Sequence, residues 1–226
     1  MTQTAQTTVD KAYAQLRNQL VTFGFKPGSR LNESEIAATL SMSRAPIREA
    51  LNRLIADGLV SFEPGRGFFC RRLSASEVND LYEIRFDLES GAIRSALTTC
   101  DDATLAGFAS IWQKRHGDAE GATLDQLVDL DETFHMALCA LADNAARLKY
   151  LENINYRIRF VRRINLEPGN RRVGGINEHA GLIDAIQLRD IDQATRLLRH
   201  HLQRSADEVR LQVQDALARI YADDVA

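Results

Sequence analysis

Four side chains that can bind a divalent metal ion stand out in the 226-residue chain. Asp131 and His135 are four residues apart, so on a helix both point to the same side. His179 and His201 fall on two other predicted helices. A carboxylate and three imidazoles that converge in a helical core would suit a first-row divalent metal. For any one of these histidines, a packed core position or a surface position without a metal is the alternative.

A second group of residues, near the N-terminus, is suited to reading DNA. Ser43 follows a tight turn and can cap a helix that begins at Arg44. Arg44 and Arg48 share a face of that helix, and an arginine fork can bond guanine O6 and N7 together. Two arginines on a solvated face are the alternative, which the neighbouring turns and caps disfavour. The helix is predicted to enter the major groove by its first turn, with Ser43, Arg44, Ala45, Pro46 and Arg48.

The segments around this helix follow the order of a winged helix-turn-helix. Apolar spacing and turn signals predict helices over 9–23, 33–40 and 44–57 and strands over 59–62 and 68–70. Asn32 with Glu35 three residues on forms an N-cap signature for the second helix. At the tip of the hairpin, Gly65 and Gly67 would let the backbone approach DNA, and Arg66 supplies a positive charge.

Beyond a short hinge, every segment has helical periodicity. Six helices are predicted, over 77–99, 102–118, 124–142, 144–165, 174–188 and 190–221. The absence of strand-like alternation favours an all-α bundle. The predicted fold is therefore mostly α: a winged helix-turn-helix joined to a bundle of six or seven helices. Its predicted parts are a flexible tail (1–8), a DNA-binding domain (9–72), a hinge (73–76) and a helical effector-binding and dimerisation domain (77–226).

Charge and composition separate the two parts in the same way. Residues 1–72 carry ten Lys and Arg against six Asp and Glu, whereas the remainder carries 18 against 25. Only the first part is thus suited to an anionic polymer. Three widely spaced cysteines argue against a disulfide framework, and no apolar run reaches the ~18 residues of a membrane span. We expect a cytoplasmic protein without a membrane partner.

The N-terminal part resembles the GntR-type DNA-binding domain almost throughout. The matching pieces are Pro27-Gly28, Leu31, Glu35-Ile36-Ala37, Ser43-Arg44-x-Pro46-x-Arg48-Glu49-Ala50-Leu51, Leu54, Gly58-Leu59-Val60 and Gly65-x-Gly67. The resemblance implies that Arg44 and Arg48 contact bases or nearby phosphates. It also implies that Ser34 lies on the surface that faces DNA, together with Ser43, Ala45 and Pro46, and that the Gly65–Gly67 tip probes the minor groove.

The helical part resembles the ligand-binding domain of the FadR-type branch of GntR regulators. The matching pieces are Asp131-x-x-Phe134-His135-x-x-Leu138, Glu178-His179-x-x-Leu182-Ile183-x-Ala185-Ile186 and Ala194-x-x-Leu197-Leu198-x-x-His201-Leu202. Six helices rather than seven make the chain more similar to the VanR-like subgroup. In many such domains one Asp and three His hold a metal, which implies Asp131, His135, His179 and His201 here; His116 and His200 match no ligand position. Zinc is the expected metal, with nickel, manganese or iron as alternatives.

The same resemblance implies that a small carboxylic acid binds as effector beside the metal. Arg85 matches a basic position on the first helix of the domain and would pair with the acid, where two parallel bonds give selectivity. An ion pair with Glu89, four residues on, is the alternative. Asn153 and Arg157 are further candidates for the effector cavity. A solvated face, or a surface towards DNA, is the other expectation for the run Arg157, Arg159, Arg162, Arg163, Arg171 and Arg172.

These features together predict a ligand-responsive transcriptional regulator, and a repressor in the first place. It would bind double-stranded operator DNA as a homodimer, because a two-fold protein matches paired half-sites. A metal-dependent hydrolase or oxygenase is the alternative from another class. Glu178 is its only obvious acid or base, so the chain is not expected to be an enzyme. A regulator that senses the metal itself is the third hypothesis.

Overall fold

The computed structural model describes residues 7–22, 24–72, 74–119, 121–166 and 169–203; for 160, 161, 164–166 and 169–177 it describes the backbone alone. The helices are α1 (Thr8–Val21), α2 (Glu33–Thr39), α3 (Arg44–Ala56), α4 (Ala75–Thr99), α5 (Asp102–Gly117), α6 (Leu124–Ala140), α7 (Ala145–Leu166), α8 (Gly169–Gln187) and α9, described over 191–203. The strands are β1 (Arg30–Leu31), β2 (Val60–Glu63) and β3 (Gly67–Cys70). The chain divides between Ser74 and Ala75 into two compact units. None of the described helices is long and apolar enough to cross a lipid bilayer.

In the first unit, α1 packs against α3 because each helix turns an apolar stripe inward. Leu16 on α1 and Ile47, Leu51 and Leu54 on α3 are fully buried. This packing fixes the opposite face of α3, which carries the arginines, as the exposed one.

The starts of α2 and α3 follow local capping rules only in part. Asn32 caps α2, since its side chain accepts from the backbone N–H of Ser34 at 3.0 Å and donates to Glu35 at 2.7 Å. Ser43 lies at the N-cap position of α3, but its side chain makes no capping hydrogen bond. The prediction of a Ser43 side-chain cap is therefore wrong. The preceding turn passes through Ser41 at φ 53°.

A small antiparallel sheet of order β1-β3-β2 completes the first unit. The hairpin pairs Val60 with Cys70 and Glu63 with Gly67, one residue away from the predicted strand ends. β1 was not expected, because a strand of two residues is too short to show alternation. It forms because Arg30 and Leu31 lie beside β3 and pair with its backbone.

In the second unit, α4, α6 and α7 pack together, and α8 packs on both α5 and α7. Ala92 on α4, Cys139 on α6 and Leu151 on α7 meet in a fully buried cluster. Six helices are present in the described part of this unit. The predicted fold class is confirmed: a winged helix-turn-helix and an all-helical bundle.

Among the helix starts, those of α4 and α8 differ most from the sequence expectation. α4 begins at Ala75, so two residues assigned to the hinge at 73–76 are helical, because Glu77 in the first turn favours a helix start. α8 begins at Gly169 rather than near 174, since its glycines are weak helix formers that hide the pattern. Most of the predicted tail (1–6), Leu73 and the end of the last helix (204–221) lie outside the described residues.

Candidate metal centre and DNA-binding surface

Asp131 and His135 lie one turn apart on α6 and face the interior of the second unit. A capping box at Thr123 and Gln126 fixes the start of this helix. His135 is fully buried, and the Asp131 side chain is 18% exposed. His179 on α8 and His201 on α9 are buried against them.

The ligand atoms of these four side chains converge on one point. The Nε2 atom of His201 lies 3.2 Å from Nε2 of His135 and 3.4 Å from Nε2 of His179. The Oδ1 atom of Asp131 lies 3.7, 3.4 and 3.9 Å from the Nε2 atoms of His135, His179 and His201. All four predicted metal residues are thus brought together, within 4.8 Å of one another.

These spacings fit a small divalent cation. Metal–ligand bonds of about 2.0–2.1 Å at tetrahedral angles put neighbouring ligand atoms about 3.3 Å apart. The five separations given above, 3.2–3.9 Å, lie close to that value. Several imidazole nitrogens and a carboxylate oxygen that face one another are also the donor set that such a cation prefers.

Two carboxylates, one buried and one half-buried, orient two of the imidazoles. Glu89 Oε2 accepts from Nδ1 of His135 at 2.5 Å, and Glu178 Oε2 accepts from Nδ1 of His201 at 2.7 Å. A carboxylate holds the proton on Nδ1, which leaves the Nε2 lone pair free to bind a metal. Sequence reasoning considered Glu89 only as a partner of Arg85, and Glu178 only as an acid or base.

Two arginines hold carboxylates of the site: Arg85 holds Glu89, and Arg162 holds the ligand Asp131. Arg85 Nε donates to Glu89 Oε1 at 2.5 Å, and both side chains are almost fully buried. Burial alone would raise the pKa of Glu89, but the Arg85 guanidinium and the His135 ring together outweigh it, and the pKa falls to about 2. Arg162 Nε lies 2.7 Å from Asp131 Oδ2. Burial again opposes the shift, and the charge of Arg162 holds the pKa of Asp131 well below its usual value.

Two of the three histidines, His179 and His201, are held in the form that binds a metal. Burial keeps the pKa of His179 well below its usual value and also lowers the pKa of His201. Because desolvation disfavours the imidazolium form, both rings are neutral near pH 7. Neutral imidazole is the metal-binding form.

The three predicted effector residues do not form one group. Arg85 lies beside the group of four candidate ligands, here called the metal cluster, and pairs with Glu89. That ion pair is the alternative left open by the sequence. Arg157 on α7 pairs instead with Glu77 on α4. Asn153 is half-buried one turn before Arg157. A half-open groove of about 300 Å³ between α4 and α9 contains none of the three; its lining includes Tyr82, Phe86, Arg199 and Leu202.

The arginine run of α7 is largely neutralised by neighbouring helices. Arg159 pairs with Asp129 and Glu132 on α6, and Arg163 pairs with Asp125. The predicted solvated or DNA-facing surface is therefore wrong for Arg162, which is buried against acidic residues of α6. Arg163 does lie at the surface, in an ion pair with an exposed carboxylate. The side chains of Arg171 and Arg172 lie outside the described residues.

The predicted DNA-reading residues form one exposed surface on the first unit. The side chains of Arg44 and Arg48 are 65% and 61% exposed. Glu33, at the start of α2, lies between them, 4.0 Å from Arg44 Nη2 and 3.9 Å from Arg48 Nε. Around them, Ser34, Ser43 and Ala45 are exposed and Pro46 is half-buried.

The tip of the hairpin has the backbone that its glycines allow. Gly65 and Gly67 adopt φ 75° and φ 96°, backbone angles that residues with a Cβ atom rarely adopt. Arg66 between them is exposed; it pairs with Glu63 and lies 5.0 Å above the ring of Phe69. The tip is thus a tight loop that carries one cation.

Known proteins resemble both units. The family described as "Bacterial regulatory proteins, gntR family" matches residues 8–70, and the FCD domain matches residues 80–204. The Nta operon transcriptional regulator of Aminobacter aminovorans is 34% identical over 89% of this chain and 94% of its own length. The HTH-type transcriptional repressor RspR of Escherichia coli strain K12 is 27% identical over 88% of this chain and 87% of its own length. The solved structure of E. coli McbR/YncC has the same fold, with a TM-score of 0.74 and 22% identity over 92% of this chain and 99% of that one.

Proposed function

The chain belongs to the GntR family of bacterial transcriptional regulators and carries an FCD domain. We propose that it is a metal-dependent repressor that responds to a small carboxylic acid. Its place of action would be the cytoplasm, on operator DNA. The observation that carries the metal-dependent part is the convergence of Asp131, His135, His179 and His201 within 4.8 Å. The matching families and relatives are regulators rather than enzymes.

The first unit would bind DNA through the N-terminal turn of α3 and the tip of the hairpin. Arg44 and Arg48 are exposed on one face, where a guanidinium fork can read a guanine in the major groove. Ser34, Ser43, Ala45 and Pro46 border that face, and Gly65, Arg66 and Gly67 would approach the phosphates or the minor groove.

The second unit would hold a divalent ion through Asp131 Oδ1 and the three Nε2 atoms. Zinc is our first choice, because it accepts nitrogen and oxygen ligands in a tetrahedral set; nickel, manganese and iron are the alternatives. When bound, the ion would supply a Lewis-acid centre, and a carboxylate oxygen would bind it at a fifth or sixth coordination position beyond the four protein ligands. Glu89, Glu178 and Arg162 keep the ligands oriented towards that ion.

A small carboxylic acid would be the effector, and Arg85 offers a donor for it. One guanidinium nitrogen of Arg85, Nη2, is buried without a hydrogen-bond partner among the described residues, although Nε is engaged by Glu89. A buried donor left unpaired costs free energy, which a carboxylate would recover. Asn153 and Arg157 would contribute only if Arg157 exchanged its present partner, Glu77, for the acid.

A homodimer would couple binding of the acid to binding of the operator. Two copies would present two recognition helices to paired half-sites. An acid that binds one arrangement of the two copies more tightly than the other would shift the population towards that arrangement, and the affinity for the operator would change with it. Release of DNA on binding the acid is the direction we propose.

The proposal is tested with the full chain and a duplex selected by it from a random double-stranded library. Duplex affinity is measured in chelator, in zinc, and in zinc with each of a panel of small carboxylic acids. We expect at least one acid to weaken binding in zinc but not in chelator. An equal effect in chelator would remove the metal from the mechanism, and a response to zinc alone would show that the metal is itself the signal. Failure to select any duplex would refute the DNA-binding assignment.

A further inference from the structure

The third imidazole of the metal cluster has a different partner from the other two. Among the described side chains, the partner of His179 Nδ1 is another ring and not a carboxylate: it lies 3.4 Å from Nε2 of His116 on α5. The two rings are stacked, with centroids 5.2 Å apart and an interplanar angle of 28°. His179 is 3% exposed and His116 is 8% exposed, so water does not compete for this contact.

From this contact we infer that His116 is a positioning residue for the metal: it accepts the Nδ1 proton of His179 and so directs the Nε2 lone pair of His179 to the ion. The inference rests on the metal site proposed above. His116 is not itself one of the four residues whose ligand atoms converge, and its Nε2 atom faces Nδ1 of His179.

The tautomers of the two rings are linked by this single hydrogen bond. Without a metal, His179 can carry its proton on Nε2, which lies 3.4 Å from Asp131 Oδ1, and accept from His116 at Nδ1. A metal ion on Nε2 excludes that proton. His179 must then carry the proton on Nδ1 and donate it to His116 Nε2, so that the proton of His116 moves to its own Nδ1. Each ring keeps one proton, and no proton is gained or lost.

The surroundings of His116 favour a role in positioning His179 over a purely structural role in which its ring nitrogens bond other groups. Its ring packs against Trp112 at 5.8 Å and Phe134 at 5.5 Å, both apolar neighbours. Its Nδ1 atom is buried and has no hydrogen-bond partner among the described residues. The contact with His179 is therefore the one hydrogen bond of the His116 side chain in the described part of the chain. Since the packing would be satisfied by any flat ring, the imidazole nitrogen has its use at His179.

Two substitutions separate the hydrogen bond from the packing. His116→Phe keeps a flat ring against Trp112 and Phe134 but removes the acceptor, whereas His116→Gln can place an amide oxygen close to the lost Nε2 atom. His200→Gln, on the exposed neighbour of His201, is the matched control. Zinc affinity is measured in the full-length protein by competition with a chromophoric chelator. We expect His116→Phe to lose about 10–100-fold in affinity, the usual effect of removing such an outer partner, and His116→Gln and His200→Gln to stay close to the unsubstituted protein.

A second measurement reads the tautomer directly, first in the unsubstituted protein and then in the two variants. Nitrogen-15 NMR of the zinc-loaded, unsubstituted protein should show the His179 proton on Nδ1, in slow exchange with water. The same resonance should be lost in His116→Phe and retained in His116→Gln.

The outcomes separate this inference from the proposed function. Zinc binding with equal affinity in His116→Phe and the unsubstituted protein would overturn the role of His116 alone. A His179 ring without a proton on Nδ1 in the zinc-loaded protein would overturn it as well. If the unsubstituted protein binds no divalent metal at all, the proposed metal site fails, and the role of His116 fails with it.

Discussion

The guanidinium of Arg162 and the metal cluster hold opposite oxygens of one carboxylate: Arg162 Nε lies 2.7 Å from Asp131 Oδ2, while Oδ1 faces the three imidazoles. Arg162 is itself held by Asn155, which accepts from Nη2 at 3.1 Å. The carboxylate therefore presents one oxygen to the three imidazoles, in a fixed direction. An arginine that the sequence assigned to a basic surface is instead part of the support of the site.

Replacement of Arg162 by methionine should weaken metal binding by about 10–100-fold, because Asp131 loses the group that orients it. Arg163→Met is the matched control, since Arg163 pairs with the exposed Asp125 on the same two helices. Chelator competition with zinc measures both variants. Equal zinc affinity in the two would show that Asp131 is oriented by other contacts.

Metal loading should stabilise the second unit, and His179→Ala should abolish that effect. Zinc at a hundred times its dissociation constant adds about 2.7 kcal/mol of stability to a protein that binds it only when folded. His200→Ala, at an exposed position, should keep both zinc and stabilisation. Elemental analysis and thermal unfolding with and without chelator report the two properties. Zinc content equal to that of the unsubstituted protein in His179→Ala would remove His179 from the ligand set.

Replacement of Arg48 by alanine should weaken binding to the selected duplex by about 1–3 kcal/mol if Arg48 makes a bidentate contact with a guanine. Arg53→Ala changes the same charge on the same helix, but Arg53 pairs with Asp10 and Glu49 and should change affinity little. Fluorescence anisotropy with the selected duplex and a scrambled one gives both affinity and sequence preference. Unchanged preference in Arg48→Ala would exclude a base contact at this position.

The cysteines should differ in reactivity towards iodoacetamide. Burial raises the pKa of the Cys70 thiol to about 11 and raises the pKa of the Cys139 thiol further. Since the thiolate is the reactive form, both should resist alkylation at pH 8 in the native protein, and half-buried Cys100 should react first. Peptide mass spectrometry identifies the modified residue, and a digest in urea, where all three react, is the control. Rapid native alkylation of Cys139 would contradict its burial in the α4–α6–α7 core.

The sequence by itself determined those features that depend on neighbours within one or two turns. Spacing of three or four residues predicted the inward face of α3 and placed Asp131 beside His135, because helix periodicity is a local property. The N-cap at Asn32 and the positive φ angles at Gly65 and Gly67 follow from the residue types alone. Resemblance then supplied the grouping of His179 and His201 with the first two ligands, which spacing left open.

Only the tertiary structure decided which distant side chains support the site. His116 and His179 are 63 residues apart and Glu89 and His135 are 46 apart along the chain, and no periodicity encodes such pairs. They depend on how α4, α5, α6 and α8 are rotated against one another by core packing. The same packing directed Arg157 to Glu77 and Arg162 to Asp131, where the sequence showed only a row of arginines. A charged side chain is long and flexible, so its partner is set by the nearest opposite charge in space, which the order of residues does not record.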